Sequence, residues 1–350
     1  MTSKVLLTAA TAATLSLAGC ALGPRPNAAA PATYVNPVLD GDFPDPTVIR
    51  AADGYYYGFA TQGAGSGTFR NLQVARSVDL FSWQSIADAL PVKPVWAAKT
   101  QDFWAPHVSW AGGLYYLYYS AKPDAALTDD KAGLCLGVAT SARPEGPYVD
   151  KGRPLLCGPG FVNIDPMQFD DPATGKPLLY WGSGFQPIKV QELAPDRLSF
   201  TQGSAPHDLV ATLKSNDPNE YQQLVEGAWV IHQAGYYYLF YSGNNCCGKD
   251  AHYAVMVARS RNAFGPFEVR PTPLKVMLQA NGKWNAPGHN SIIRDSRGDD
   301  WIVYHAVDRA NPGEVVNTRR VMLIDRLVWV GGWPTVAGGS PSVGPRPAPR

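Results

Sequence analysis

The chain has 350 residues, of which 45% are hydrophobic and 17% charged, enough for one large folded domain with a sizeable core. Its 30 basic and 29 acidic residues nearly cancel and no basic stripe stands out, so nucleic acid is not an expected partner. Glycine (34), proline (31), tyrosine (17) and tryptophan (10) are plentiful, which favours many short strands joined by tight turns.

The first twenty residues (1–20) have the pattern of a lipoprotein-type signal segment. Lys4 precedes an apolar run from Val5 to Leu17, which is too short to span a membrane as a mature helix. The run ends in a Leu-Ala-Gly-Cys motif that resembles a bacterial lipobox, so we predict lipidation of Cys20; an ordinary cleaved signal peptide is the alternative. A Pro/Ala-rich tether (21–33) follows. We expect an exported protein, periplasmic or held at the outer membrane only through this lipid anchor.

Four cysteines remain after Cys20, an even number in a chain sent to an oxidising compartment. Cys135 and Cys157 are candidates to bridge neighbouring strands. The adjacent Cys246 and Cys247 either form a vicinal disulfide or pair elsewhere. No CxxC or Cys/His spacing typical of a zinc site is present in the sequence.

One pattern recurs five times between residues 34 and 337. Each copy is a short aromatic strand entered through a turn, and the copies begin at Gly54, Gly113, Lys176, Gly235 and Asp300. A short strand precedes each copy, and a third strand and a fourth region often follow, with a period of about sixty residues. This predicts an all-β fold, a five-bladed β-propeller with four-stranded blades around a central cavity; a β-sandwich is the main rival. The tail (338–350) is predicted to be disordered.

The residues just before the first strand of each repeat are Asp45, Ala105, Asp165, Glu226 and His289, at spacings of 60, 60, 61 and 63 residues. Because the innermost strands of a propeller line its axis, equivalent positions form a ring around the central cavity. The ring would carry three carboxylates and one imidazole, whereas a purely structural repeat favours a small uncharged residue such as alanine at this position.

Carboxyl groups facing one cavity suit glycoside hydrolysis, which commonly needs an acid beside the leaving oxygen and a carboxylate across the sugar. When the second group activates water, the pair lies about 6.5–9.5 Å apart and configuration inverts. We predict Glu226 as the general acid, because an apolar wall beside it would raise its pKa. Asp45, held between two prolines, is predicted as the general base, and Asp165 as a third charge that adjusts the pKa of Glu226.

These residues resemble glycoside hydrolase family 43. The Asp-Pro pair at Asp45, the Ile-Asp-Pro motif at Asp165 and the Glu-Gly pair at Glu226 match that family's three acidic motifs. The resemblance extends from Asn36 to Pro334. It implies a five-bladed propeller and an inverting mechanism, with Asp45 as general base, Asp165 as pKa modulator and Glu226 as general acid.

Two histidines are also expected near the centre of the propeller. His289 looks like the family's propeller-centre histidine, which implies calcium or another cation held mostly through water; a buried structural histidine is the alternative. No cofactor is required. His305 is expected beside the site or in the core.

Aromatic and polar residues are predicted to contact substrate. Trp104, and with it Phe103, matches a motif that borders the sugar subsite in the family, with packing between blades as the alternative. Phe185 and Gln186 are expected at the rim. Arg320 is expected near the base or the substrate hydroxyls, unless it forms an ordinary ion pair between blades.

The substrate is predicted from resemblance. The loop at Cys246–Cys247 resembles one in arabinan-acting members. Together with the Pro-Gly-His-Asn-Ser motif at His289 and the absence of an added sandwich domain after the last repeat, it leads us to expect cleavage of α-L-arabinofuranosidic linkages in plant cell-wall polysaccharide. The protein is expected to be a monomer. A β-xylosidase is the close alternative. A propeller that binds sugar without cutting it, and a retaining fructose-transferring enzyme, are more distant ones.

Overall fold

The computed structural model describes residues 1–2, 32–124, 133–272, 274–314 and 318–350. Most of the predicted signal segment and tether, including Cys20, lies outside these ranges. Within them, no helix is long and apolar enough to cross a membrane. The fold below is that of Thr33–Arg350.

Five antiparallel sheets follow one another along the chain, and each is built from consecutive strands. The first contains β2 (Thr47–Arg50), β3 (Tyr56–Ala60), β4 (Gln73–Ser77) and β5 (Trp83–Asp88). The second contains β6 (Phe103–Ala111), β7 (Leu114–Ala121), β8 (Cys135–Ser141), β9 (Val149–Asp150) and β10 (Leu156–Cys157). The third contains β11 (Met167–Asp170), β12 (Pro177–Trp181), β13 (Lys189–Glu192) and β14 (His207–Asp208).

The last two sheets have the same plan. The fourth contains β15 (Val225–Gln233), β16 (Tyr236–Asn245), β17 (His252–Ser260), β18 (Glu268–Val269) and β19 (Val276–Leu278). The fifth contains β20 (Trp284–Arg294), β21 (Asp300–Asp308), β22 (Arg320–Val330) and β23 (Trp333–Val336). Short 3₁₀ turns lie at Val95–Ala97, Tyr221–Gln223 and Ala337–Gly339. Five such blades around an axis confirm the predicted five-bladed β-propeller.

The aromatic repeat is explained by contacts between blades. Tyr118, Tyr180 and Tyr238 lie on the second strands of their blades and are buried. Their hydroxyls donate hydrogen bonds of 2.9, 2.9 and 2.7 Å to backbone carbonyls of the following blade. A buried phenol needs such a partner, while its ring supplies apolar contact area, so one residue type serves both needs at these three junctions.

The propeller is closed by contacts that both ends of its sequence make with the fifth blade. The side chain of Asn36 bonds both the carbonyl (2.8 Å) and the N–H (3.0 Å) of Ile324 in the last blade. Asp325 is buried and accepts hydrogen bonds from the Tyr304 hydroxyl (2.6 Å) and from the N–H of Ser342 (3.2 Å) in the tail. Buried polar groups linked in this way hold both termini against the fifth blade.

The tail has ordered contacts, which corrects the prediction that residues 338–350 are disordered. Its strand β24 (Arg346–Pro347) pairs with β1 (Thr33–Tyr34), so Thr33 belongs to the propeller rather than to the tether. The final residue, Arg350, donates its N–H to the carboxylate of Asp295 (3.0 Å). Composition alone missed this, because a few specific polar contacts hold the segment rather than an apolar stripe.

Candidate active site

In each blade, a residue on or just before the inner strand adopts the left-handed backbone region at a corresponding place. These residues are Asp45 (φ 58°), Ala105 (47°), Asp165 (58°), Gly227 (63°) and His289 (48°); on the fifth inner strand Ala286 (47°) adopts it as well. Residues other than glycine pay about 1–2 kcal/mol for this conformation, and such strain collects at functional sites. In the fourth blade the left-handed residue is Gly227, which corrects the sequence alignment: the spacings are 60, 60, 62 and 62, and Glu226 lies one position earlier.

Polar side chains tie these positions together from blade to blade. At four junctions the backbone N–H of the left-handed residue donates to a side chain on or just after the preceding blade's second strand. The pairs are Ala105 to Thr61 (2.8 Å), Asp165 to Ser120 (3.1 Å), His289 to Ser242 (2.8 Å) and Asp45 to His305 (3.1 Å). Sequence reasoning did not identify this set. Its signal is a polar residue that directly follows the aromatic run of each repeat.

The junction between the third and fourth blades differs. Here the N–H of Gly227 donates to the Oδ2 atom of Asp165 (2.9 Å). The hydroxyl of Ser183 is thereby available to Glu226, and it donates to Oε2 at 2.9 Å. Because Gly227 rather than Glu226 occupies the left-handed position, Asp165 accepts a hydrogen bond from Gly227 and Glu226 accepts one from Ser183.

Asp45 is held as an anion. Its Oδ2 accepts a hydrogen bond from Thr61 Oγ1 (2.6 Å), and its Oδ1 accepts one from Arg320 Nη1 (2.9 Å). The Nδ1 atoms of His289 and His305 lie 3.5 and 3.3 Å from Oδ1. Burial alone would raise the pKa of Asp45, but the charge of the Arg320 guanidinium is the largest opposing influence, and the pKa lies well below its usual value. An ionised carboxylate is what a general base requires.

Glu226 has the opposite electrostatic environment. It is buried, and its two oxygens accept hydrogen bonds from Tyr253 Oη (2.8 Å) and Ser183 Oγ (2.9 Å). Burial is the largest influence and the charge of Asp45 adds to it; together they outweigh the two hydrogen bonds and raise the pKa of Glu226 to about 7. Near neutral pH this carboxyl can therefore carry the proton that a general acid must donate.

Asp165 is close enough to both carboxyls to be affected by their charges. Burial raises its pKa well above the usual value, and repulsion from Glu226 and Asp45 adds to that rise. Because Asp165 and Glu226 are buried together, a negative charge on either one disfavours ionisation of the other. Asp165 is thus placed to influence the protonation of Glu226.

His289 faces the acidic residues rather than a set of metal ligands. Its Nδ1 lies 3.5 Å from Asp45 and 3.8 Å from Asp165, and burial lowers its pKa. Among the described residues, no three His, Cys, Asp or Glu side chains are grouped as metal ligands. The donor set therefore does not fit a cation bound directly by protein groups, and no catalytic step is assigned to one.

One cavity of about 870 Å³ contains the three carboxyls and His289. Trp104, Phe185 and Arg320, all predicted to contact substrate, line it as well. Additional lining residues that the sequence did not single out are Asp42, Gln62, Phe69, Asp102 and Phe161. Phe185 is exposed and packs edge-on against Phe161 (ring centroids 5.9 Å apart), which makes an aromatic rim.

Two predicted substrate contacts lie elsewhere. Phe103 is fully buried in the core of the first two blades, packed against Tyr119, so it cannot reach a substrate. Neighbouring residues on a strand point to opposite faces, which places Trp104 towards the cavity and Phe103 away from it. Gln186 is exposed but does not line the cavity.

A second cavity, of about 790 Å³, lies further along the inner strands and shares no lining residue with the first. His107 and Trp229 line it, with their ring centroids 5.2 Å apart. Burial lowers the pKa of His107 to about 3, so this imidazole is neutral. None of the three acidic residues of the ring reaches this cavity, which assigns the acid–base chemistry to the first.

Both candidate disulfides form in the structure. Cys135 and Cys157 face each other on β8 and β10, with Cα atoms 4.1 Å apart. Cys246 and Cys247 form a vicinal disulfide after β16, and both line the first cavity. The Cys246–Cys247 loop is anchored by the N–H of Gly248, which donates to Thr318 Oγ1 (3.2 Å).

A five-bladed propeller whose cavity holds a carboxyl of lowered pKa together with a carboxyl of raised pKa has the features of a glycoside-hydrolysing enzyme. The sequence matches the family described as glycosyl hydrolases family 43 over residues 34–334, and the chain belongs to that family.

Related proteins share most of the chain. An extracellular exo-α-(1→5)-L-arabinofuranosidase of Cellvibrio japonicus is 27% identical over 84% of this chain and 86% of its own length. A xylan 1,3-β-xylosidase of a Vibrio species is 25% identical over 89% of this chain and 58% of its own length. The solved structure of an α-L-arabinanase of Cellvibrio cellulosa superposes with a TM-score of 0.68, at 25% identity, over 84% of this chain and 95% of that one.

Proposed function

We propose that this enzyme hydrolyses α-L-arabinofuranosidic linkages, in arabinan or in the arabinose side chains of plant polysaccharides, with inversion of configuration. Asp45 is the general base, Glu226 the general acid, and Asp165 modulates the pKa of Glu226. The observation that carries this proposal is the contrast between two carboxyls in one cavity: Arg320 keeps Asp45 ionised, whereas burial raises the pKa of Glu226 to about 7.

The reaction then needs no covalent intermediate. Asp45 removes a proton from a water molecule, whose oxygen attacks the anomeric carbon from the face opposite the leaving group. Glu226 donates its proton to the glycosidic oxygen as the bond to that oxygen breaks. The cycle leaves Asp45 protonated and Glu226 ionised, and exchange of protons with solvent restores both groups.

The proposed sugar rests on the relatives and on the cavity rim. The Cellvibrio enzyme is named for exo-cleavage of α-(1→5)-linked L-arabinofuranose, and the structural relative is named an arabinanase. Phe185, Trp104 and the vicinal disulfide offer apolar surfaces to the C–H groups of a sugar ring. The Vibrio relative is named a xylosidase, so a β-xyloside is the second candidate.

We further propose that the protein acts outside the cytoplasm. The Cellvibrio relative is named extracellular, and the motif ending at Cys20 resembles a lipobox. Metabolic labelling with a palmitate analogue should mark the wild-type chain and fail to mark Cys20→Ala.

A substrate panel tests the reaction and the sugar together. Linear arabinan, aryl α-L-arabinofuranosides and aryl β-D-xylosides are compared by kcat/KM, and the anomer released first is identified by NMR. We expect arabinofuranosides to be preferred and the first product to have inverted configuration. Preference for xylosides would identify a β-xyloside as the substrate instead, and retention of the anomeric configuration would contradict the inverting mechanism.

Two variants test the roles. Glu226→Gln should lose about 10²–10⁴-fold on arabinan but much less on aryl glycosides, because a good leaving group needs no proton. Asp45→Asn should lose activity on every substrate, because none can avoid activation of water. If Glu226→Gln retained near wild-type rates on arabinan, Glu226 would not be the acid.

A further inference from the structure

His305 occupies a special place among the side chains that tie the blades together. Three junctions use the hydroxyl of Thr61, Ser120 or Ser242 to accept the N–H of the left-handed residue in the next blade. The junction between the last blade and the first uses the imidazole of His305 instead, and the residue it holds is Asp45. The only imidazole in this set of acceptors therefore supports the proposed base.

The chemical state of His305 follows from its contacts. Its Nδ1 accepts the backbone N–H of Asp45 at 3.1 Å, so the proton of the neutral ring belongs on Nε2. The side chain is fully buried, and burial lowers its pKa to about 4. The ring is a neutral acceptor aimed at the backbone of a residue whose φ of 58° is unfavourable without such support.

The other face of the imidazole is linked to the proposed acid. The rings of His305 and Tyr253 stack almost parallel, 4° apart in orientation with centroids separated by 5.8 Å. The Tyr253 hydroxyl donates to Glu226 Oε1 at 2.8 Å. Gly288 makes room for this stack, because a Cβ there would lie 2.1 Å from the Tyr253 ring.

We propose that His305 is a positioning residue for catalysis. It fixes the backbone of Asp45 through Nδ1, and through its stack with Tyr253 it keeps the base and the acid Glu226 in one rigid frame. This inference rests on the proposed roles of the two carboxyls. A positioning role differs from a role in folding alone, because the rate should depend on the hydrogen-bond acceptor of the side chain more than on the side chain's volume.

Two substitutions separate the acceptor from the bulk. In His305→Asn the amide Oδ1 can take the place of Nδ1, whereas His305→Leu fills similar space without an acceptor. A misplacement of about 1 Å at a reacting group can cost about 10²-fold in rate. We expect His305→Leu to lose about 10²-fold in kcat with KM changed by less than about threefold, and His305→Asn to recover at least about tenfold of that loss.

The matched control is His107→Asn, which replaces a buried neutral histidine on an inner strand that lines the other cavity. It should retain wild-type kcat. Equal kcat values for His305→Asn and His305→Leu, or a loss confined to KM, would overturn the proposal.

A measurement on the wild-type protein covers the case in which His305→Leu does not fold. Nitrogen NMR of protein labelled at its six histidines, with His305 assigned by its absence in His305→Asn, reports the tautomer. We expect a neutral ring protonated on Nε2 with a hydrogen-bonded Nδ1; a proton on Nδ1 would refute the proposal. This result does not depend on turnover, so it remains decisive even if no glycoside of the panel is cleaved and the proposed function fails.

Discussion

Removing the Tyr253 hydroxyl should extend the activity of the enzyme to higher pH. This hydroxyl donates to Glu226 at 2.8 Å and so stabilises the ionised form of the acid. Burial holds the pKa of Tyr253 well above its ordinary value, so the phenol remains a donor throughout the working range. A hydrogen bond to a charged group contributes about 1.5–3 kcal/mol, and 1.36 kcal/mol corresponds to about one pKa unit.

In Tyr253→Phe the pKa of Glu226 should therefore rise above its value of about 7. The acid must be protonated to act, and activity is lost as pH rises through its pKa. The basic limb of kcat/KM should move upward by about one to two pH units, while the acidic limb, which reports Asp45, should stay in place. The profile of kcat/KM is the appropriate quantity, because it reports the free enzyme.

The assay uses a glycoside with a poor leaving group, at constant ionic strength across the pH range. Tyr241→Phe is the control: Tyr241 is also buried, lies on the neighbouring strand β16, and its hydroxyl is 3.5 Å from Gln222 and makes no hydrogen bond to Glu226. If the basic limb of folded Tyr253→Phe stayed in place or moved downward, Glu226 would not be the group that titrates there.

Two further changes test the base and the closure of the ring. In Arg320→Met the pKa of Asp45 should rise, because the guanidinium at 2.9 Å is the strongest influence lowering it. The acidic limb of kcat/KM should therefore move to higher pH. The control Arg319→Met removes an ion pair with exposed Asp40 and should leave this limb in place. Truncation after residue 339 removes Ser342, whose N–H donates to Asp325 and whose carbonyl accepts the buried Trp284 Nε1–H (3.0 Å). The indole N–H left without a partner costs about 1–3 kcal/mol, so the urea midpoint should fall. Truncation after residue 343 retains Ser342 and should lower it less, whereas equal midpoints would show that Ser342 does not secure the tail.

The blade count could be predicted because the aromatic run recurs in every repeat and supplies packing contacts, which at three junctions include a hydrogen bond to the next blade. Tyr118, Tyr180 and Tyr238 each fill the space between blades and satisfy a carbonyl of the next one. Any blade that lost this pattern would leave a gap, so the period of about sixty residues is visible in a single sequence. The acidic residues stand out for the opposite reason, since packing does not require them.

The errors lie where a single residue decides the outcome. Phe103 and Trp104 are neighbours of similar character, and only the pleat of β6 determines which of them faces the cavity. The tail has too few apolar residues to indicate order. Its attachment depends on Ser342, whose partner Asp325 lies in a different part of the sequence. Neither fact is contained in composition or local pattern.

The offset at Glu226 gives the proposed acid hydrogen-bond partners that differ from those of the proposed base. Asp45 and Asp165 occupy the left-handed position itself, whereas in the fourth blade Gly227 occupies it. A glycine suits this place, because a Cβ would lie 3.3 Å from His289 Nδ1 and the φ of 63° disfavours other residues. Glu226 is thereby moved one residue back along the strand, to the hydroxyls of Ser183 and Tyr253, while the guanidinium of Arg320 bonds Asp45. The difference in pKa between the two carboxyls follows from these partners: a guanidinium bonds Asp45, whereas buried Glu226 meets only two neutral hydroxyls.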